Sequence, residues 1–249
     1  MKRILVVFRR DLKEMLSTTA FRIIAGFAAA VTVVAAVVIP VVLHAQPWYG
    51  VQEAAPLLTL ITGLVIYFLP LLILISFIWA FTAMTLTVEK INGNIECLMA
   101  TPLEPKSLWI GKSLAIFIPA YLLLLIATFI VLITINLSAF IPGWGTFILS
   151  PATLVTGLLI NPLLLFALLL FIVLYSLADN PDIAAAPALL VGFALMVGMP
   201  AGLMTGAFDI NSWIFALCYL VITAVIWIIV MFMTRMLTRQ NIVLSSKGS

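Results

Sequence analysis

The chain is poor in charge. Asp, Glu, Lys and Arg make up 8% of its 249 residues, against roughly 25% in soluble domains. So few charges cannot cover the surface of a water-soluble fold of this size, and a soluble globular enzyme or binding module is excluded. Cysteine is scarce as well. Cys97 and Cys218 stand in unrelated contexts, which suggests neither a disulfide framework nor a metal cluster. The one histidine, His44, ends an apolar run and reads as an interfacial side chain. The stretch of alternating residues that a barrel strand needs is missing too: the apolar runs are about 20 residues or longer, not about 10. Nor does the N-terminus read as a cleavable signal, since about twenty residues of mixed character precede the first apolar run.

What remains is hydrocarbon. Hydrophobic residues make up 65% of the chain and the mean hydropathy is +1.32. The expected fold class is an all-α polytopic membrane protein. Six apolar runs each hold the ~20 residues that cross a ~30 Å core: 21–43, 57–86, 108–136, 152–177, 183–204 and 212–234. Pro70 falls inside the second and predicts a kink. That span is longer than the bilayer requires, so it is expected to tilt or to continue beyond the membrane. The whole reads as one membrane domain. An interfacial helix over 1–20 is followed by spans one and two over 21–86, a cytoplasmic segment over 87–107, spans three to six over 108–234, and a tail over 235–249.

Basic residues set the topology. Lys2, Arg3, Arg9, Arg10, Lys13 and Arg22 precede or begin span one. Lys90, Lys106 and Lys112 lie between spans two and three, and Arg235, Arg239 and Lys247 follow span six. With six spans, all twelve fall on one face, which makes that face cytoplasmic and places both termini inside. The opposite loops, around 44–56, 137–151 and 205–211, carry no Lys or Arg. Trp48, Tyr49 and Trp144 lie there, where amphipathic rings settle. Segment 192–207 is rich in Gly and Pro and reads as either a kinked helix end or a re-entrant turn.

The first twenty residues have helical periodicity. At ~100° per residue, Ile4, Leu5, Phe8, Leu12, Met15 and Leu16 fall within an arc of roughly 120°, with Lys2, Arg3, Arg9, Arg10 and Lys13 roughly opposite. This is expected to be an interfacial helix. Phe8 and Leu12 are its buried contacts, and Arg9, Arg10 and Lys13 face water and anionic headgroups. Ser17-Thr18-Thr19 offers a break and a cap before span one.

The densest interior cluster of charge is "EKINGNIECLMATPLEPKSLWIGKS", from Glu89 to Ser113. Gly93 between Asn92 and Asn94 weakens a continuous helix. Asn94 can cap a short new one that puts Ile95, Leu98 and Met99 on one face, and Pro102 and Pro105 end it. A short amphipathic helix between two spans can lie on the membrane or dock in a partner's groove. The "GKS" at 111–113 is not a phosphate-binding loop. Such a loop needs Gly five residues earlier, where this chain has Lys106, and a span follows instead of a strand–loop–helix unit.

At residue level, Glu89, Gly93, Glu96-Cys97-Leu98, Thr101-Pro102 and Gly111-Lys112 resemble the loop between the second and third spans of permease subunits of ABC type-two exporters. In layout the resemblance covers nearly the whole chain; in residues it runs from Glu89 to about Ala115. A fainter echo is "LADNPDIAAAPALL", where that family usually has Arg or Lys and this chain has Asp179 and Asp182. The resemblance implies a transport subunit without an ATPase site of its own. It implies a separate cytoplasmic ABC ATPase that holds ATP and Mg²⁺, and a second permease copy or homologue as partner. It places Glu89, Gly93, Glu96, Leu98, Thr101 and Pro102 in a cytoplasmic coupling helix seated on the ATPase, in a protein of the cell membrane. No cofactor and no nucleic acid are expected on this chain. The near absence of charge within the spans points to a hydrophobic or amphipathic cargo. Thr59, Thr62, Thr82, Thr85, Asn136 and Asn161 are the few polar side chains in the spans, able to bond to their own backbone.

Two other functions were weighed from the residues. A membrane-embedded enzyme acting on lipid-linked substrates would need clustered acid, base or metal ligands; Asp179 and Asp182 are the only candidates, with no Lys, Arg or His beside them. An ion-coupled carrier would hide ionisable groups within spans, and here Arg22 and Asp209 lie only at span edges.

Overall fold

The computed structural model describes residues 2–91, 104–178 and 181–238, without the side chains of 2, 82–91, 178, 181–189 and 236. Among the described residues the regular structure is all helix, with no strand. Seven helices follow in order. They are α1 (Lys2–Ser17), α2 (Thr19–His44), α3 (Ala55–Ile91), α4 (Pro105–Trp144), α5 (151–178), α6 (Pro181–Met204) and α7 (Trp213–Met233). Among the described residues five helices, α2 to α5 and α7, are long and apolar enough to cross a membrane, and the chain is a helical membrane protein.

Local chemistry explains the boundaries. Thr18 separates α1 from α2 in an extended conformation, with φ −72° and ψ 148°. Its hydroxyl donates to Met15 O at 2.7 Å and accepts from Phe21 N at 3.2 Å, closing one helix and capping the next. Ser212 caps α7 in the same way, accepting from Ile214 N at 3.2 Å. The end of α6 is a Schellman turn. Ala207 N donates to Gly202 O at 2.9 Å and Gly206 N to Leu203 O at 3.1 Å, with Gly206 at φ 68°. The helix therefore runs unbroken through 192–204 and ends in that turn. Gly202 is bare because the Phe208 ring packs back onto it: a Cβ there would meet the ring at 2.2 Å.

Two spans differ from their expected lengths. α3 continues to Ile91, beyond the expected end at 86. α4 does not stop at 136 but continues to Trp144, so much of the loop expected over 137–151 is helix. A π turn over Asn136–Phe140 carries it past Asn136, with Ile141 N–H bonded to Asn136 O. A second π turn, Thr156–Ile160, interrupts α5. Each stands directly before an Xaa–Pro pair, Ile141-Pro142 and Asn161-Pro162. Proline cannot donate to the carbonyl four residues back and crowds it, and a wider turn relieves both problems.

α5 is the centre of the bundle. Leu164, Leu165, Ala167, Leu169, Val173, Leu174 and Leu177 are all buried, packed among α3, α4, α6 and α7. α2 and α7 lie at the edge. Phe27, Val33, Val37 and Val41 of α2, and Ile214, Leu217, Val221, Val225 and Ile228 of α7, form exposed apolar stripes suited to lipid. The place of Cys218 within the apolar run 212–234 predicts burial. The residue lies in α7 but on the exposed face, because the packed face of that helix is used by Ala216, Tyr219, Thr223 and Val230. The non-helical ends are tied together. Trp144 Nε1 donates to Val51 O at 2.7 Å and the Tyr49 hydroxyl to Ala139 O at 3.0 Å. Asn136 Nδ2 donates to Leu132 O and its Oδ1 accepts from Ile148 N at 2.8 Å. Trp144 is thus a buried strut between two loops, and not only an interfacial ring.

Candidate functional site

The site of interest is where α1 meets the first turns of α4, directly after the charged segment that links spans two and three. Of the residues assigned to coupling, Glu89 lies on the last turns of α3 with its side chain outside the described residues. Gly93, Glu96, Leu98, Thr101 and Pro102 lie outside the described residues, as does Cys97. The two flanks of the segment, Ile91 at the end of α3 and Glu104 before α4, are described.

α1 lies on α4 through Ile4, Val7, Phe8, Asp11, Leu12 and Met15, with Val7 and Met15 fully buried. Phe8 and Leu12 are half-buried, while Arg9, Arg10 and Lys13 are exposed, as the helical arc requires. Leu5 and Leu16, at the far edge of that arc, are 48% and 45% exposed. The packed face is therefore rotated by roughly 50° from the apolar arc, toward Val7 and Asp11. Two residues on α4 account for the rotation.

The first is Gly111. A Cβ at this position would stand 2.7 Å from Val7 Cγ1 and 3.3 Å from Ile4 O. Only glycine allows the α1 backbone to approach this closely. The second is Lys112. Its Nζ is 3.3 Å from Asp11 Oδ2, with the side chains 7% and 14% exposed. Asp11 Oδ2 has no hydrogen-bond partner of good geometry among the described residues, so the contact acts as an ion pair. Two charges withdrawn from water have a large desolvation cost, and their attraction offsets it only while both are in place. The pair therefore fixes the register of α1 more than it adds net stability.

Outer contacts complete the junction. Arg3 reaches Glu104 Oε1 at 3.1 Å, with the side chains 56% and 66% exposed. Such a surface pair contributes at most about 1 kcal/mol. On its opposite side α4 is pinned to α5, where the buried Trp109 Nε1 donates to Leu170 O at 2.8 Å. α2 joins through Phe21, whose ring meets that of Phe77 on α3 edge-on at 5.9 Å. Contacts with α1 and α5 thus flank the first turns of α4 directly after residue 104. Gly111, Lys112 and Ser113 sit inside this packing, Lys112 and Ser113 buried, so the "GKS" motif is a helix-packing element with no opening for a phosphate.

The expected partners of the other polar side chains hold in part. Thr59 and Thr62 bond to carbonyls of their own helix at 2.7 and 2.8 Å. Asn161 instead crosses to α3, donating to Tyr67 O at 3.2 Å. Asp11, Val7, Trp109 and Tyr67 were not singled out from the sequence. The available signal for the first was an acidic residue at the edge of the arc of α1 together with a lysine embedded in apolar sequence. Asp179 lies outside the described residues, and Asp182 is in α6 with its side chain outside them. Comparison with known proteins finds no matching family model, no matching curated protein and no matching solved structure.

Proposed function

We propose that this chain is the permease subunit of an ATP-driven ABC exporter of the type-two class. It has six spans and both termini in the cytoplasm, and it lies in the cell membrane. α6, 24 residues long, is the fifth of these spans and joins the five long apolar helices to make six. The motor is a separate cytoplasmic ABC ATPase that carries ATP and Mg²⁺, and a second permease completes the pathway. The cargo is hydrophobic or amphipathic.

The observation that carries this reading is the junction of α1 and α4. The loop resembling a coupling helix ends at Glu104, and there the chain is clamped by Arg3, Val7 and Asp11 on one side and by Trp109 on the other. A push on a short cytoplasmic helix reaches the spans only if its exit is rigidly held, and this exit is. The charged loop at the centre of an otherwise oily chain then has a use: acidic groups orient a soluble partner, and an apolar stripe supplies contact area.

The test is purification of the tagged chain from its native membrane in mild detergent. An ATPase-sized partner that binds ATP and co-purifies in constant ratio is expected. A chain that purifies alone from several mild detergents, with no ATP-binding partner after cross-linking in the membrane, overturns the reading.

A further inference from the structure

Where α3, α5 and α7 cross, each contributes to one buried polar node. Asn161 Nδ2 donates to Tyr67 O at 3.2 Å, and the Tyr219 hydroxyl donates to Asn161 Oδ1 at 3.1 Å. The rings of Tyr67 and Tyr219 are 6.3 Å apart. All three residues are buried. Counting 1.5 Å per residue from the near helix ends at 55, 151 and 213, the node is roughly 10–18 Å deep.

Two of these helices have a backbone defect at the node. In α5 the π turn Thr156–Ile160 holds one residue more than an α turn would, with Asn161 N–H bonded to Thr156 O. Pro162 offers no N–H to Leu158 O, and that carbonyl takes the Tyr121 hydroxyl of α4 at 3.1 Å instead. In α3, Pro70 withholds the matching donor from Ile66 O. α5 lies tightly against α3 at this carbonyl: a Cβ on Gly157 would stand 2.2 Å from Ile66 O. The Leu158 carbonyl, which a helix would normally pair within itself, is thus handed to a side chain of a neighbouring helix.

We infer that residues 156–162 of α5 are a built-in hinge, and that the Tyr219–Asn161–Tyr67 bonds are its latch. Conversion of the π turn to α geometry would shift one half of α5 by about 1.5 Å and turn it by about 100° against the other half. Asn161 would then leave both partners. Gly157 lets the backbone of the turn lie against Ile66 O without a side chain between them, and Pro162 spares it a broken backbone hydrogen bond. The device stands on this geometry alone and holds whatever the chain transports.

The test is hydrogen exchange on the full chain in lipid nanodiscs, with Tyr219→Phe as the main variant. This change removes one hydroxyl and keeps the ring, stacked on Phe215 at 5.8 Å. Exchange in peptides covering 156–165 should rise by about five-fold, the effect of one net hydrogen bond. Exchange in α2 and in the first turns of α4 should be unchanged. Asn161→Leu, which removes both bonds, should raise it further in the same peptides. If Asn161→Leu does not assemble, Tyr219→Phe and Tyr121→Phe are compared; the latter frees Leu158 O and should act on the same peptides. Unchanged exchange in 156–165, or a rise spread evenly over all helices, overturns the hinge.

Discussion

Lys112 Nζ stands 3.3 Å from Asp11 Oδ2 across the junction of α1 and α4, with the side chains 7% and 14% exposed. The two residues are 101 positions apart, one in α1 and one in the third turn of α4. Their pairing turns a charge that would be costly inside the protein into a register mark for α1. Neutralising one partner should therefore be worse than neutralising both. Lys112→Met alone, or Asp11→Leu alone, leaves a buried charge and should cost about 3–5 kcal/mol in the docking of α1. The double variant should recover most of that loss. Limited proteolysis within residues 1–17, measured with each single variant and the double, completes the cycle. A loss in the double variant equal to the sum of the two single losses would show that the two charges do not interact.

Gly111 predicts a purely steric counterpart. Gly111→Ala places a methyl 2.7 Å from Val7 Cγ1 and 2.8 Å from Val7 Cβ. α1 must move away at a cost of about 1–3 kcal/mol, typical of overpacking. The same substitution at Gly26, where a Cβ would meet nothing within 4 Å, should be harmless. Thermal midpoints of the two variants in detergent compare them directly, and a Gly111→Ala variant as stable as Gly26→Ala would contradict the close approach.

The two faces of α1 should respond differently to charge. Leu12 packs against the core and Lys13 is exposed. Leu12→Asp should sharply reduce assembled protein, and joining Phe8→Asp to it should deepen the loss. Lys13→Ala and Arg9→Ala should change stability by about 0.5 kcal/mol or less. Yield of monodisperse protein by size-exclusion chromatography reads all four. A normal yield for the Phe8/Leu12 double variant would reduce α1 to a tail that only sets topology.

Much of this fold was legible because its physics is local. Runs of about 20 apolar residues cross a bilayer wherever they occur, and the break at Thr18 follows from a cap that acts over three residues. The extension of α4 to Trp144 was less legible. Asn136 resembles a helix stop, but in the structure a π turn absorbs it and its side chain braces Ile148 N. The α1 register was legible only to within roughly 50°, because hydrophobic periodicity reports where oil lies and cannot show which flank meets a partner. Asp11–Lys112 and Tyr219–Asn161–Tyr67 join residues 58 to 101 positions apart. Nothing local marks such pairs, and their spatial meaning comes only from the crossing of the helices.

The two cysteines test the topology. Cys218 sits on the exposed face of α7, at membrane depth, so a lipid-soluble maleimide should label it and a charged one should not. In the proposed six-span arrangement Cys97 falls between spans two and three, on the face that would carry all twelve basic residues. A charged maleimide should reach it only after the cytoplasmic side is opened. Labelling of Cys97 by that reagent in intact, right-side-out cells would contradict the six-span arrangement.

The central claim is that the segment between spans two and three transmits work from an ATPase to the membrane. Reversal of Glu89 and Glu96 to Lys leaves α1, its ion pair with α4 and the polar node untouched, so the protein should insert and assemble normally. If acidic groups orient the partner, the reversal should weaken association at the docking surface. The measurement is ATP turnover and partner co-purification of the Glu89→Lys/Glu96→Lys variant, reconstituted in a lipid bilayer beside the unaltered chain. The account predicts intact membrane assembly with at least ten-fold lower cargo-stimulated turnover or partner recovery, about 1.4 kcal/mol of lost coupling. Turnover and recovery equal to those of the unaltered chain would contradict it.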